Sequence, residues 1–219
     1  LEKEKDIVTG VVQRYVGKNI SINLGKADAL LTENEQVKGE VFKPTERIKL
    51  YVVEVKNTTK GPKIVVSRTH PELVKRLFES EVTEVRDGIV EIKSISREAG
   101  SRAKIAVWSS DPDVDPVGAC VGMNGARVNA IVNELRGEKI DIINWSDNPA
   151  ILIENALSPA KVISVAADPD EKTASVIVPD YQLSLAIGKE GQNARLAARL
   201  TGYKIDIKSE SQAIESGEL

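Results

Sequence analysis

Several residue types that carry chemistry are scarce in this sequence. Its 219 residues include one cysteine, one histidine and one methionine, and aromatic residues make up 4% of the chain. A single cysteine excludes an internal disulfide framework and a cysteine metal site. With so few rings, the cores depend on Val, Ile, Leu and Ala, and we expect base stacking to be a minor contribution.

Long apolar runs and a strong net charge are also missing. No stretch approaches the roughly 18 consecutive apolar residues of a membrane span, and the first six residues, which are mostly charged, do not fit a signal peptide. We therefore expect a cytoplasmic protein without a membrane span. A formal net charge of -3 and a pI near 5.5 mean that any nucleic-acid site is local. Because the chain starts at Leu1 instead of Met and continues with a charged, helix-like lead-in, we expect an N-terminal domain to be absent from it.

The second half of the chain contains an internal repeat. Gly122-Met123-Asn124-Gly125 and, 66 residues later, Gly188-Lys189-Glu190-Gly191 share a Gly-x-x-Gly pattern. Each is followed by Gly-x-Lys-Ile-Asp-Ile, at residues 137–142 and 202–207. Apolar residues at helical spacing flank each glycine pair, and alternating residues behind it predict a strand. With a helix and two strands upstream, each copy reads helix, two strands, two helices, strand.

That order around a Gly-x-x-Gly loop resembles the bacterial type of KH domain, in which the loop holds the RNA backbone beside a groove for bases. Glycines let phosphates approach the main chain, and the following helix start offers free N–H groups. One such loop is a weak signal, but a duplicated loop with matching flanks is a strong one. A Walker-type nucleotide site is excluded because Leu183 replaces its first glycine and Glu190 its Ser or Thr.

Residues 7–67 have a different texture, with short runs of Val and Ile broken by Gly, Lys-Asn and Pro. They predict five strands, at 7–14, 19–24, 27–31, 48–55 and 63–67, the number that an OB barrel needs. Val8 to Val12 and the turn at Val16 to Asn19 resemble the OB domain named after the first small-subunit ribosomal protein. A barrel that only spaces its neighbours remains the alternative.

Two longer runs carry a more specific resemblance. Residues 97–107 and 115–122 are similar to the first KH domain of the NusA family, and residues 179–208 closely resemble its second. The expected fold is therefore multidomain, an all-β five-stranded OB barrel followed by two α+β type II KH domains. Its expected parts are the end of a linker helix at 1–6, the barrel at 7–68, KH domains at 69–146 and 147–210, and a tail at 211–219.

The resemblance implies the RNA-binding part of a transcription elongation factor, which holds nascent single-stranded RNA and modulates pausing, termination and antitermination. Implied partners are single-stranded RNA from the nascent transcript or a ribosomal leader, RNA polymerase, and other antitermination factors. We expect a monomer with no cofactor. Met123 and Asn124 stand where the family more often has Pro and a basic residue, which predicts weaker binding by the first KH domain.

The predicted RNA-binding residues lie in the two loops and the helix starts behind them. They are Gly122, Met123, Asn124, Gly125, Arg127, Gly188, Lys189, Glu190, Gly191, Gln192, Asn193, Arg195 and Arg199. Residues 183–208 hold five basic and two acidic residues, a local charge of +3, and Arg195 and Arg199 share one helix face. This favours RNA binding over the alternative, a protein–protein scaffold with little RNA binding of its own.

No residue pattern indicates catalysis or a metal. His70 directly precedes Pro71, which predicts a helix cap. Asp111, Asp113 and Asp115 alternate as in a calcium loop, but the required glycine and bidentate glutamate are missing. We therefore expect neither an enzyme nor a metal site.

The connection between the two repeat units is short. Only Ser146, Asp147, Asn148 and Pro149 separate them, and such a connection spans at most about 14 Å. We expect the two KH domains to touch and to bind one continuous RNA strand.

Overall fold

The computed structural model describes residues 3–219. The chain packs as two compact units. One comprises the residues up to Arg86 with Ala99–Arg102 and Val121–Lys139, and the other comprises Asp87–Glu98, Ala103–Cys120 and Ile140–Leu219. Within residues 3–219, no helix has both the length and the apolar content needed to cross a membrane.

The first unit begins with a five-stranded barrel. Its strands are β1 (Ile7–Val16), β2 (Asn19–Asn23), β3 (Asp28–Leu31), β4 (Arg47–Thr58) and β5 (Gly61–Ser67). They are ordered β1-β2-β3-β5-β4, and β4 pairs back onto β1 to close the barrel. The contact between β3 and β5 is parallel and joins only Ala29 to Ile64 and Leu30 to Val65. The predicted five-stranded OB-type architecture is confirmed.

Every second side chain along these strands points into the barrel and forms its core. Val12, Ile20, Ile22, Ile48 and Leu50 point inward and are at most 1% exposed. Because successive side chains on a strand face opposite sides, the intervening residues face outward. The alternation of Val and Ile with polar residues in the sequence therefore encodes the barrel directly.

The segment before the barrel is not a helix. Residues 3–6 form a turn, Lys5 has a φ of 64°, and residues 1–2 lie outside the described part of the chain. The Lys5 amide donates to the Val52 carbonyl at 2.8 Å, and Glu4 accepts from the Val55 amide at 3.1 Å. The expected end of a linker helix is thus wrong over 3–6, because hydrogen bonds to β4 replace a helical turn too short to nucleate alone.

The first KH repeat has the predicted order with one additional short helix. Its elements are α1 (Pro71–Glu81), α2 (Thr83–Arg86), β6 (Val90–Glu98), β7 (Arg102–Ser109), α3 (Pro116–Val121), α4 (Ala126–Glu134) and β8 (Lys139–Asn144), with the sheet ordered β6-β7-β8. His70 caps α1, since its Nδ1 accepts from the Glu72 amide at 3.0 Å. That role for the single histidine was predicted from its position before Pro71 and is confirmed.

The second KH repeat follows the same order. Its elements are α5 (Pro149–Ala156), β9 (Ser164–Asp168), β10 (Thr173–Val178), α6 (Leu183–Ile187), α7 (Gln192–Thr201) and β11 (Lys204–Ser209). The central β10 pairs in parallel with β11 and antiparallel with β9. The expected tail instead starts with a further helix, α8 (Glu210–Glu215), whose Ser209 and Gln212 form a capping box. A capping box is a local signal for a helix start that the tail interpretation overlooked.

Strands of the first repeat and helices of the second share one hydrophobic core. Ala106 of β7 and Ile143 of β8 are buried in the same cluster as Leu152 and Ile153 of α5. The Ser96 hydroxyl donates to the Leu196 carbonyl at 2.9 Å. The prediction that the two repeats touch is therefore confirmed for these elements.

A buried lysine reinforces this shared core. Lys104 is fully buried, and its Nζ donates to Asp141 at 2.9 Å and to the Ser158 carbonyl at 2.7 Å. A buried charge is tolerated only when it is paired and hydrogen-bonded. Lys104 therefore ties the sheet of the first repeat to the segment after α5 of the second.

Candidate nucleic-acid interface

The first glycines of the two loops have the same unusual backbone. Gly122 has φ 78° and ψ 171°, and Gly188 has φ 81° and ψ 169°. A Cβ at Gly122 would lie 2.9 Å from the Arg127 amide nitrogen, and one at Gly188 would lie 2.7 Å from the Asn193 amide nitrogen. Only glycine allows both this conformation and this approach of the following helix.

The rest of each loop repeats just as closely. Asn124 and Glu190 both have a φ of 56°, and the second glycines, Gly125 and Gly191, both have a φ of 76°. In each loop the amide of the second glycine donates to the carbonyl of the first at 3.1 Å. The tight turn leaves the side chains between the glycines exposed, including Met123 at 85%.

Each loop opens directly into a helix. Gly125 and Gly191 are the N-caps of α4 and α7, and neither cap supplies a side-chain acceptor. The first amides of a helix have no partner within it, and the helix dipole places partial positive charge there. The loops therefore present hydrogen-bond donors and positive potential where a phosphate can approach.

Arg195 braces the second loop against the first KH sheet. Its Nε and Nη2 donate to the two carboxylate oxygens of Glu98 at 2.6 and 2.9 Å, while its Nη1 donates to the Glu190 carbonyl at 3.0 Å. The hydrogen bond from Arg195 lowers the pKa of Glu98, although partial burial opposes the shift. One side chain thus joins β6 to the loop backbone.

Glu98 also interacts with two further polar side chains of α7. Arg199 lies 3.5 Å from its carboxylate, and Gln192 donates to it at 3.2 Å. The predicted common face of Arg195 and Arg199 is therefore real, but a carboxylate already occupies it. Sequence reasoning missed Glu98 because it lies 97 residues before Arg195 and no local pattern links them.

Asn193 is placed inside the second domain. It is 5% exposed, and its amide nitrogen donates to the carbonyls of Leu157 and Ala186 at 3.0 and 2.9 Å. These bonds fasten α7 to the ends of α5 and α6. Its direct contact with RNA stays a prediction, while its role in holding the loop scaffold is visible.

The equivalent position in the first repeat carries a charge. Arg127, like Asn193, lies beside the first glycine of its loop. Its Nη1 donates to Glu84 of α2 at 2.8 Å, and this hydrogen bond lowers the pKa of Glu84. The predicted RNA-binding residue Arg127 therefore also has a carboxylate partner.

A cavity of about 500 Å³ lies between elements of the two repeats in the second unit. Its lining comes from α3 and β8 on one side and from α5 and the segment after it on the other. It consists of Val117, Ile142, Ile143, Asn144, Glu154, Asn155, Ser158, Ala160, Lys161 and Val162. No sequence pattern predicted this cavity, since neither repeat forms it alone.

A metal site requires several ligand side chains close together in space. Among residues 3–219, no group of three or more His, Cys, Asp and Glu side chains is arranged to hold a metal ion. Cys120 is buried in α3.

The barrel followed by two repeats around Gly-x-x-Gly turns defines an OB-fold protein with tandem KH domains. Family comparison is more specific: residues 68–145 match the model described as the NusA-like first KH domain, and residues 149–215 match the NusA-like second KH domain. The chain belongs to the NusA family.

Relatives support this assignment across almost the whole chain. It is 63% identical over 217 residues to the transcription termination/antitermination protein NusA of Bacillus subtilis, covering 99% of this chain and 58% of that protein. The corresponding protein of Halalkalibacterium halodurans is 60% identical over 219 residues, covering 100% and 57%. That of Thermus thermophilus is 49% identical over 208 residues, covering 94% and 54%. The chain thus spans little more than half the length of these relatives.

Proposed function

We propose that this chain is the RNA-binding part of a transcription termination/antitermination factor, which holds nascent single-stranded RNA and modulates pausing, termination and antitermination. The observation that carries the proposal is the pair of Gly-x-x-Gly loops with matching backbones, each opening into a helix N-terminus. The relatives, which are transcription termination/antitermination proteins, support the link to transcription.

The predicted site residues divide into two roles in this proposal. The four glycines and the exposed Met123, Asn124, Lys189 and Glu190 approach the RNA backbone. The residues behind the loops, namely Arg127, Gln192, Asn193, Arg195 and Arg199, hold the helices that carry the loops and add positive potential. Hydrogen bonds to Glu84 and Glu98 support this positioning role.

The wider arrangement is also part of the proposal. The barrel at 7–68 and the KH domains at 69–146 and 147–210 act together as a monomer in the cytoplasm. RNA polymerase and other antitermination factors are the protein partners. The chain binds its partners and does not catalyse a reaction.

A protein–protein scaffold with little RNA binding is the second candidate. It is favoured by the engagement of Arg195 and Arg199 with Glu98, which reduces the positive charge available to phosphates. Exposed apolar residues of the second domain, such as Ile151 at 44% and Ile163 at 47%, would suit such a role. The two candidates differ in their affinity for RNA.

A titration against single-stranded RNA from a ribosomal leader and against a duplex of the same sequence tests the proposal. We expect tighter binding to the single strand, because a KH groove takes unstacked bases that a duplex hides. The affinity should fall with salt, with a slope of roughly -0.7 per phosphate contact. Equal or tighter duplex binding contradicts the proposal, and negligible binding of either RNA favours the scaffold.

A further inference from the structure

Tyr181 carries the most exposed aromatic ring among residues 3–219. It is 77% exposed, whereas Tyr15 and Trp108 are 42% and 37% exposed. No hydrogen bond to its hydroxyl occurs within that part of the chain. In a protein with so few rings, one that contributes little to a core is available for binding.

The backbone that presents this ring is firmly held. Tyr181 lies in a 3₁₀ turn, Asp180–Gln182, between β10 and α6. On one side the Asp180 carboxylate accepts hydrogen bonds from the Ser211 amide, at 3.0 Å, and from the Ser211 hydroxyl. On the other side the Gln182 side chain accepts from the Lys161 amide at 2.9 Å. The ring therefore projects from an ordered turn, so little entropy is lost when it binds a ligand.

The turn leads toward the second loop. It continues directly into α6, which ends at Gly188, the first glycine of that loop. Two further apolar residues, Leu185 and Ile187, lie in α6 between Tyr181 and this loop. Leu185 and Ile187 are 44% and 37% exposed. The segment that leads from Tyr181 to the Gly-x-x-Gly loop therefore carries three partly or largely exposed apolar side chains.

The chemistry around the ring fits a nucleobase. The basic segment 183–208 begins two residues after it, with a local charge of +3. A polyanion with flat bases satisfies both features, since its phosphates meet the amides at the start of α7 and Lys189, and a base meets the ring. Every base has a π face, so stacking of this kind tolerates any sequence.

We propose that Tyr181 stacks on a base of the single-stranded RNA whose backbone the second loop holds. This inference rests on the proposed RNA-binding function and adds to it a residue outside the Gly-x-x-Gly motif. The ring supplies affinity through its aromatic face, while its hydroxyl stays in water. Loss of the ring should therefore weaken binding without changing the number of phosphate contacts.

The test compares Tyr181→Ala and Tyr181→Phe with a control, Ile214→Ala, which truncates another exposed apolar residue, 58% exposed in α8. Each variant of the 219-residue chain is titrated with a synthetic single-stranded RNA of about ten nucleotides at several salt concentrations. Thermal unfolding should be unchanged in all three variants, because the altered side chains are exposed.

Tyr181→Ala should weaken binding by about 5- to 100-fold with an unchanged salt slope. Tyr181→Phe and Ile214→Ala should bind like the unaltered chain. RNAs with an abasic site at successive positions locate the stacked base, since one of them should weaken binding to the unaltered chain but not to Tyr181→Ala.

Three results overturn the inference. Tyr181→Ala binding as tightly as the unaltered chain shows that the ring does not contact RNA. An equal loss in Tyr181→Phe assigns the effect to the hydroxyl, and a loss that no abasic site reproduces removes the base from the contact. If the unaltered chain does not bind the RNA at all, the proposed RNA-binding function fails. If the unaltered chain binds and Tyr181→Ala binds equally well, only the role of Tyr181 fails.

Discussion

The two Gly-x-x-Gly loops have nearly identical backbones and different side chains. Their corresponding φ and ψ angles agree within 3°. Between the glycines, the first loop carries Met123 and Asn124, whereas the second carries Lys189 and Glu190. The shape of the loop therefore does not depend on the residues that would meet RNA, which leaves those residues free to set its affinity.

The loops also differ in what supports them. Behind the first loop, Arg127 pairs with Glu84 of its own repeat. Behind the second, Arg195 pairs with Glu98, which belongs to the other repeat. The second loop is thus held by a residue of the neighbouring domain. Substitutions in the sheet of the first KH domain should therefore change the position or stability of the second loop.

The largest effect is expected from alanine at the first glycine of either loop. Gly122→Ala and Gly188→Ala should each lower the free energy of unfolding by about 1–3 kcal/mol through backbone strain, with a further cost from the close contact to the following helix. Urea denaturation measures both. Gly202→Ala is the control, since Gly202 has a φ of 76° but no atom within 4 Å of an added Cβ. Clearly unequal costs at Gly122 and Gly188 would contradict their structural equivalence.

Exchanging the charge between the loops should have the next largest effect. Lys189→Met should weaken single-stranded RNA binding by about two- to tenfold and reduce the salt dependence by roughly one phosphate contact. Met123→Lys should do the opposite, because the same backbone then presents a cation to RNA. Titrations at several salt concentrations measure both. If Met123→Lys has no effect while Lys189→Met does, the first loop does not meet the RNA.

Removing the carboxylates behind the loops should have a smaller, unequal effect. Glu98→Gln should lower the unfolding temperature by more than Glu84→Gln, because Glu98 engages Arg195, Arg199 and Gln192 while Glu84 engages Arg127. Both substitutions keep the side-chain shape, so differential scanning calorimetry reports the lost charge interactions. The reverse ranking would show that the brace between the repeats contributes little.

The smallest effect is on acid stability. The hydrogen bonds from Arg195 and Arg127 lower the pKa values of Glu98 and Glu84 in the folded state. Their contribution is therefore complete above the unfolded value of about 4.3 and is lost as pH falls through the lower folded values. As the pH falls from about 4.3 toward the pH at which the protein unfolds in acid, the unfolding temperature of the unaltered chain should fall more steeply than that of the Glu84→Gln, Glu98→Gln double variant. Parallel curves of unfolding temperature against pH would contradict this.

Local patterns predicted the elements that position the site. Alternating Val and Ile residues indicated the five barrel strands, and the duplicated glycines indicated both turns between helices. His70 before Pro71 indicated the start of α1. These signals work because strand alternation, helix capping and positive φ depend on residues close together in sequence. The short lead-in at 3–6 was misread because its hydrogen bonds go to Val52 and Val55 of β4.

The sequence by itself determined the architecture and the conformation of both loops, since each depends on neighbouring residues. Only the tertiary structure decided which carboxylates meet the arginines, that Asn193 is buried, and that Lys104 lies between the two repeats. Charge pairing depends on distance in space, and Glu98 and Arg195 are brought together by the packing of a sheet against a helix. A basic segment read as free positive charge is therefore partly neutralised by a residue that no local pattern could reveal.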